Sequence, residues 1–218
     1  MRSLHPKSFA GVLRFASASL IATCIGVAPS YAAPFTNGGF ELGTDPGSTF
    51  ITLNSGSTAI TGWTVGAGGV DYIGGYWQPA EGSRSLDLSA ASAGATSQTF
   101  DTTSGTAYQV TFAMAGNSAG GNAIKTVNVA AASSSANFTF DTTGRSTTNM
   151  GWSDRVFTFT ASATSTTLTF TSQEANAYGP ALDNVRVAAI TAAPEPGTIA
   201  LLLVGTGAGV LVRRRRAA

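Results

Sequence analysis

The central part of the chain is predicted to be all-β, an antiparallel β-sandwich of the jelly-roll type. Short segments in which apolar residues alternate with Thr or Ser recur along it, and clusters of Gly, Asn and Ser separate them. No stretch of this central part has apolar residues spaced at the 3.6-residue period of an α-helix. Strands with one apolar and one polar face bury the apolar face by packing two antiparallel sheets together.

The predicted strands follow in order along the chain, each with its apolar residues two positions apart. They include the pairs Leu86/Leu88, Val127/Val129, Phe138/Phe140, Phe157/Phe159, Leu168/Phe170 and Val185/Val187, and the longer run 108–114. Turn-forming residues fill 54–57, 116–122 and 133–135. The spacing of turns and strands therefore favours many short strands joined by tight connections.

The first 32 residues have the features of a secretory signal peptide. Arg2, Lys7 and Arg14 make a positive start, an apolar stretch covers 15–28, and a small-residue pattern ends at Ala32. Cleavage after Ala32 leaves a predicted β-sandwich domain over 33–190. The sequence thus predicts export.

The C-terminus combines a stiff turn, an apolar stretch and a basic end. A linker over 191–197 contains Pro194, Glu195 and Pro196, and the apolar residues 198–212 predict a transmembrane helix. A basic tail over 213–218, predicted to be cytoplasmic, holds Arg213, Arg214, Arg215 and Arg216. This order resembles the PEP-CTERM sorting signal of Gram-negative bacteria.

The PEP-CTERM resemblance implies a processing step and a destination. In that family an exosortase-type membrane peptidase recognises the signal, so cleavage is expected near Glu195. The chain would be anchored transiently in the inner membrane and then displayed at the cell surface or in an extracellular polysaccharide matrix. The sequence leaves open whether the C-terminal helix is removed.

Charge and missing residue types narrow the possible chemistry. Between the signals lie five basic and eleven acidic residues, a net charge of −6, which disfavours binding to nucleic acid. The single His (His5) and the single Cys (Cys24) lie in the predicted signal peptide. The mature domain therefore has no Ser-His triad, no Cys nucleophile and no zinc site of the usual composition.

A series of motifs spans nearly the whole mature domain. It runs through Asn37-Gly38-Gly39-Phe40-Glu41, Gly62-Trp63-Thr64-Val65, Val70-Asp71-Tyr72-Ile73, Gly82-Ser83-Arg84-Ser85-Leu86-Asp87-Leu88, Ser97-Gln98-Thr99-Phe100, Ala115-Gly116-Asn117, Met150-Gly151-Trp152 and Gly179-Pro180-Ala181-Leu182-Asp183-Asn184-Val185. This series resembles the choice-of-anchor C family, which is similar to plant cell-wall proteins. The resemblance implies a fold like galactose-binding and carbohydrate-binding jelly rolls, and association with polysaccharide.

One segment has the composition of a sugar-binding surface. Aromatic rings stack on the apolar faces of sugars while polar side chains meet the hydroxyl groups, and residues 63–84 supply both. The candidates are Trp63, Asp71, Tyr72, Tyr76, Trp77 and Arg84. Two alternatives stay open: that the aromatic residues fill the core, which is favoured for Trp63 and Trp152, and that Asp71 forms an ion pair with Arg84.

Glu41 and Asp183 suggest a structural calcium ion. The first and last strands of carbohydrate-binding jelly rolls run close together, and oxygen ligands suit Ca²⁺. The alternative is that these two carboxylates cap turns or pair with arginines. A third group, Asn117, Asn122 and Lys125, flanks a Gly-rich segment that is expected to be a solvated turn.

These patterns predict an exported surface or matrix protein whose domain binds extracellular polysaccharide without catalysis. One rival is a structural or adhesion protein that binds other proteins. A second is a glycan hydrolase that uses two carboxyl groups, since such chemistry needs neither His nor Cys.

Overall fold

The structure is a computed structural model that describes residues 34–190, which form eleven β-strands. In chain order they are β1 Phe50–Leu53, β2 Thr64–Val65, β3 Val70–Ile73, β4 Ser85–Asp87, β5 Ala95–Asp101, β6 Ala107–Gly116, β7 Ile124–Ala131, β8 Ser134–Asp141, β9 Ser153–Thr160, β10 Ser165–Ser172 and β11 Pro180–Ala189. The predicted signal peptide, the Pro-Glu-Pro linker, the transmembrane segment 198–212 and the arginine tail lie outside the described residues.

The strands form two antiparallel sheets with jelly-roll connections. One sheet has the order β1-β3-β4-β11-β6-β9 and the other β2-β5-β10-β7-β8. From β4 onwards the orders are 4-11-6-9 and 5-10-7-8, which is the arrangement of two interlocked Greek keys. The predicted antiparallel β-sandwich of the jelly-roll type is confirmed, and β1, β2 and β3 extend its sheets.

Period-two alternation decides which side chains lie between the sheets. In β10 Leu168 and Phe170 are fully buried, while Thr167 next to Leu168 is exposed and Thr169 between them is half-buried. Phe170 packs edge-on against Phe112 of the opposite sheet, with ring centroids 5.2 Å apart. The apolar face of each sheet is thus removed from water by the other, which is the main stabilising contribution to such a fold.

The outer face of the six-stranded sheet is also covered in part. The segment 74–84 between β3 and β4 folds back over it, and Trp77 donates a hydrogen bond from Nε1 to Ser85 Oγ at 2.7 Å. Because this face is covered, all three residues of β4 are buried, including those that point away from the core. The covering segment gives this sheet a recessed outer surface.

Within residues 34–190 no helix has the length and apolar character needed to span a bilayer. The predicted span 198–212 lies outside that range.

We expect Phe170→Ala to lower the free energy of unfolding by about 3–5 kcal/mol, because it leaves a cavity between the sheets. The matched control is Phe50→Ala, which removes the same side chain from a site that is 39 % exposed and should cost far less. Equilibrium denaturation of the purified full-length protein measures both. Equal losses would contradict this account of the core.

Candidate functional site

A cleft of about 250 Å³ opens on the outer face of the six-stranded sheet. Its floor is formed by residues that alternate with core residues: Asp71 follows buried Val70 in β3, and Asp87 follows buried Leu86 in β4. Asp71 and Asp87 are direct cross-strand partners, so both carboxyl groups lie on the same face of the sheet. The cleft is therefore built on rigid strands.

Three aromatic residues form a connected wall of the cleft. The rings of Phe50 and Tyr76 meet edge to face at 5.4 Å, and those of Tyr76 and Trp77 lie 5.6 Å apart. Trp77 is held down by its bond to Ser85, whereas Phe50 is 39 % exposed. In this wall the Phe50 ring is accessible to solvent, whereas the Trp77 ring is buried and fixed by its hydrogen bond.

Tyr178 adds a separate aromatic ring from the connection between β10 and β11, and it is 38 % exposed. Its ring packs on Gly120, where an added Cβ would lie 2.6 Å from Cε2 of the tyrosine, so a larger residue there would displace the ring. The Gly120 carbonyl in turn accepts a hydrogen bond from Nζ of the fully buried Lys125 at 2.7 Å. Lys125 and Gly120 therefore position this ring.

Polar groups on the cleft floor are oriented by specific hydrogen bonds. Thr52 Oγ1 donates to Asp71 Oδ1 at 2.6 Å, and Asn117 Nδ2 donates to Asp87 Oδ2 at 2.9 Å. Asn117 is itself fixed, because its Oδ1 accepts from the backbone N–H of Ala119 at 3.0 Å. A ligand in the cleft meets carboxyl, hydroxyl and amide groups that are already in place.

Asp87 joins three connections of the sandwich. Its Oδ1 accepts the backbone N–H groups of Ser89 and Gly179, both at 3.0 Å, in addition to the bond from Asn117. Gly179 approaches so closely that an added Cβ would lie 2.4 Å from Asp87 Oδ1. The backbone of Asn117 also donates to the Gly179 carbonyl at 2.9 Å. The loops that carry Asn117 and Tyr178 are thus tied to one buried carboxyl group.

Burial changes the acidity of the carboxyl groups on this face. Desolvation raises the pKa of Asp87 to about 7, although hydrogen bonds from Asn117 and Ser89 act in the opposite direction. Desolvation also raises the pKa of Asp71, and the Thr52 hydroxyl partly offsets the effect. Asp183, on the same face in β11, has its pKa raised to about 7, again mainly by burial.

The structure brings three of the predicted sugar-binding residues together in the cleft, namely Asp71, Tyr76 and Trp77. It places two others in the core, and there the prediction is wrong. Trp63 is 1 % exposed and Tyr72 is 0 % exposed. Both point between the sheets, where Trp63 Nε1 donates to the Asn37 carbonyl at 2.9 Å, so neither ring can stack on a sugar.

Arg84 lies outside the cleft. Its Nη1 donates to the Tyr72 hydroxyl at 2.9 Å, and its guanidinium group lies over the Tyr72 ring. Its ion pair is with Asp45 at 3.6 Å and not with Asp71. The alternative of an Asp71–Arg84 pair is therefore wrong as well, because the outer-face carboxyl group and this arginine have different partners.

The predicted calcium ligands Glu41 and Asp183 accept hydrogen bonds from the segment 80–84. Glu41 Oε1 accepts two backbone N–H groups, at 2.8 and 3.0 Å, and its Oε2 accepts the Ser83 hydroxyl. Asp183 Oδ2 accepts two more backbone N–H groups, at 2.8 and 3.0 Å. Because N–H donors point at these oxygens, both carboxyl groups cap the segment 80–84, as the alternative interpretation of the sequence has it.

No group of three or more His, Cys, Asp or Glu side chains that could hold a metal ion occurs in the part of the chain that the structure describes. A structural calcium ion stays a prediction, with no ligand set assigned to it among residues 34–190.

Five polar or aromatic residues of the cleft lie outside the sugar-binding set that the sequence predicts: Phe50, Thr52, Asp87, Asn117 and Tyr178. Asn117 and Lys125 were expected at a solvated turn, yet both are buried because the loop folds over the end of the sheet. The sequence does carry a signal for Tyr178: like Tyr76, it lies in a connection next to a Gly residue, and a Pro follows within three residues. Phe50 and Asp87 reach the cleft through the register of the strand pairs β1–β3 and β3–β4, which the sequence of a single strand does not give.

Residues 33–188 match the family model described as "Protein of unknown function (DUF642)". The chain belongs to the DUF642 family. The resemblance to the choice-of-anchor C family stays a prediction under that name. Residues 192–216 match the PEP-CTERM protein-sorting motif, which confirms the prediction made from Pro194, Glu195, Pro196 and the four arginines.

A curated relative of this DUF642 protein is halomucin of Haloquadratum walsbyi, which is 34 % identical over 163 residues. The match covers 69 % of this chain and 2 % of halomucin. The chain thus corresponds to a very small part of that protein.

Solved structures similar to the DUF642 domain include carbohydrate-binding modules. TmCBM61 in complex with β-1,4-galactotriose has 13 % identity and a TM-score of 0.47, covering 72 % of this chain and 99 % of that one. The CBM22-1 xylan-binding domain of Paenibacillus barcinonensis Xyn10C has 17 % identity and a TM-score of 0.45, with coverages of 66 % and 94 %. The CBM35 of Paenibacillus barcinonensis has 17 % identity and a TM-score of 0.43, with coverages of 64 % and 99 %.

We expect the DUF642 domain to be more stable at pH 5 than at pH 8. A carboxyl group whose pKa is about 7 when folded and 3.8 when unfolded contributes stability that is complete below pH 3.8 and is lost as the pH rises to about 7. The slope is up to about 1.4 kcal/mol per pH unit for each such group.

Denaturant unfolding of the full-length protein between pH 5 and pH 8 measures this dependence. The same measurement on Asp87→Asn tests whether Asp87 causes it. The variant should flatten the dependence, whereas Asp101→Asn, at an exposed position in β5, should leave it unchanged. Stability that rises with pH from 5 to 8 in the unaltered protein would show that Asp87 is buried in its charged form.

Glu41→Ala should lower the free energy of unfolding by about 1–3 kcal/mol, because the capped segment 80–84 loses three hydrogen bonds. The loss should be the same with Ca²⁺ and with a chelator. Glu81→Ala, at a more exposed carboxylate, is the control and should cost at most about 0.5 kcal/mol. A loss seen only in the presence of Ca²⁺ would instead establish Glu41 as a calcium ligand.

Proposed function

We propose that this protein binds carbohydrate, without catalysis, in the cleft between the Phe50–Tyr76–Trp77 wall and the Tyr178 ring. The observation that carries the proposal is the combination of exposed aromatic rings with a buried polar floor in one recess. Export and exosortase processing would place this cleft at the cell surface or in the extracellular matrix of a Gram-negative bacterium, as the sorting motif indicates.

The cleft offers the two kinds of contact that a sugar ring requires. Phe50 and Tyr178 are each more than a third exposed, so each can stack on the apolar face of a pyranose ring. Asp71 uses Oδ1 to accept from Thr52, and its Oδ2 remains for a sugar hydroxyl. Groups fixed before binding lose little entropy when the ligand arrives, which favours affinity.

A second recess supports binding of a chain rather than a single sugar. It has a volume of about 470 Å³ and adjoins the cleft at Tyr76 and Trp77, with Gln78, Thr147 and Thr148 as further lining. The two recesses therefore share the rings of Tyr76 and Trp77. A polysaccharide that crosses Tyr76 would contact polar groups on either side.

The geometry of the carboxyl pair argues against the hydrolase alternative. A glycosidase of that kind needs two carboxyl groups that both reach the scissile bond. Asp87 is 1 % exposed, and its oxygens accept three hydrogen bonds from protein groups. Asp71 is then the one carboxyl group of the pair that can contact a ligand.

Tyr178→Ala should weaken binding to a cognate polysaccharide at least about fivefold, because one of the exposed stacking rings of the cleft is lost. The full-length protein, purified in mild detergent, is first screened against immobilised polysaccharides, and affinity is then measured for those that bind. Phe50→Ala and Tyr76→Ala should show losses of the same order.

Val156→Ala is the control for these variants. Val156 is 53 % exposed at the far end of the same outer face, outside the cleft. Its substitution should not change affinity. Binding that survives all three aromatic substitutions would contradict the choice of surface, and failure to bind any glycan would favour the protein-binding alternative.

A further inference from the structure

We infer that the cleft selects glycans without carboxylate groups, that is neutral or amino sugars, and excludes chains of uronic acids. The inference rests on the proposed function and names the class of sugar that the same site accepts. The observation behind it is that two carboxyl groups and no basic side chain line the cleft.

Neither carboxyl group is neutralised by an ion pair. The salt bridges within residues 34–190 join Arg84 to Asp45 and Arg186 to Glu81, away from the cleft. The hydrogen-bond donors to Asp71 and Asp87 are a hydroxyl, an amide and backbone N–H groups, which are all uncharged. A carboxylate on the ligand would therefore meet the ionised form of Asp71 with no cation beside it, whereas Asp87, whose pKa is about 7, adds negative charge only as the pH rises above that value.

Lys125 interacts electrostatically with Asp87, but it does not line the cleft. It is fully buried beneath the 116–122 connection, where its Nζ donates to the Gly120 carbonyl. An anionic ligand cannot reach it without displacing that connection. Lys125 thus holds the loop and offers no contact to a uronate.

Asp71 is the group that should discriminate between sugars. Its free Oδ2 can accept from a neutral hydroxyl group or from the ammonium group of an amino sugar. A uronate carboxylate has no donor to offer it, and like charges brought together at a binding surface are strongly unfavourable. The described domain as a whole carries ten acidic and five basic residues, so its long-range field acts in the same direction.

The test compares chemically matched polymers on the full-length protein. Galactan, mannan and β-glucan are each used in native form and after oxidation of C6 to a carboxylate, so that stereochemistry is kept and charge is added. We expect oxidation to weaken binding at least about tenfold at low salt. The difference in affinity between native and oxidised polymers should become smaller between 50 mM and 1 M salt, because screening reduces repulsion between charges.

Asp71→Asn tests the residue assignment. This variant should reduce the difference in affinity between native and oxidised polymers. Asp101→Asn, which removes an exposed carboxylate of the other sheet, should leave that difference unchanged. The salt series needs no substitution, so the inference remains testable if Asp71→Asn does not fold. The loss of binding in Tyr178→Ala shows how much of the binding depends on the cleft.

Different failures have different meanings. Oxidised polymers that bind as well as native ones, in a Tyr178-dependent way, would overturn the selectivity and leave carbohydrate binding in place. A difference in affinity unaffected by both salt and Asp71→Asn would also overturn it. If no polymer of either form binds, the proposed function falls together with the inference.

Discussion

The cleft depends on one buried carboxyl group, that of Asp87. It accepts hydrogen bonds from Ser89, Asn117 and Gly179, and these residues belong to three different connections between the sheets. A carboxyl group buried in this way is costly unless its oxygens are satisfied, so the three connections are held where they satisfy it. The side chain of Asn117 and the ring of Tyr178 take their positions from that arrangement.

The two faces of the six-stranded sheet have different tasks. Its inner face packs Tyr72, Leu86 and Leu182 against the other sheet, whereas its outer face carries Asp71 and Asp87 under a partial cover formed by 74–84. Since neighbouring residues in a strand point to opposite faces, stability and recognition are encoded in adjacent positions. For this reason Tyr72 belongs to the core although its neighbour Asp71 lines the cleft.

Sequence patterns were sufficient for the fold and for part of the site. Alternation in β6, β9 and β10 predicted two-faced strands, and those strands are present. Tyr76 and Trp77 were found because they lie between Gly75 and Pro79, in a segment too rich in turn residues to be a strand. Trp63 and Tyr72 were misassigned because composition does not tell whether an aromatic side chain in or beside a short strand points into the core or to the outer face.

By itself, the sequence determined the class of the domain, its lack of imidazole and thiol groups, and the sorting motif at its end, because each of these is a local pattern. The tertiary structure alone decided which polar and aromatic residues share a surface. Phe50, Asp87 and Tyr178 are far apart in the chain, and the antiparallel register and loop packing bring them to one cleft. Register is a property of paired strands, and no single segment carries it.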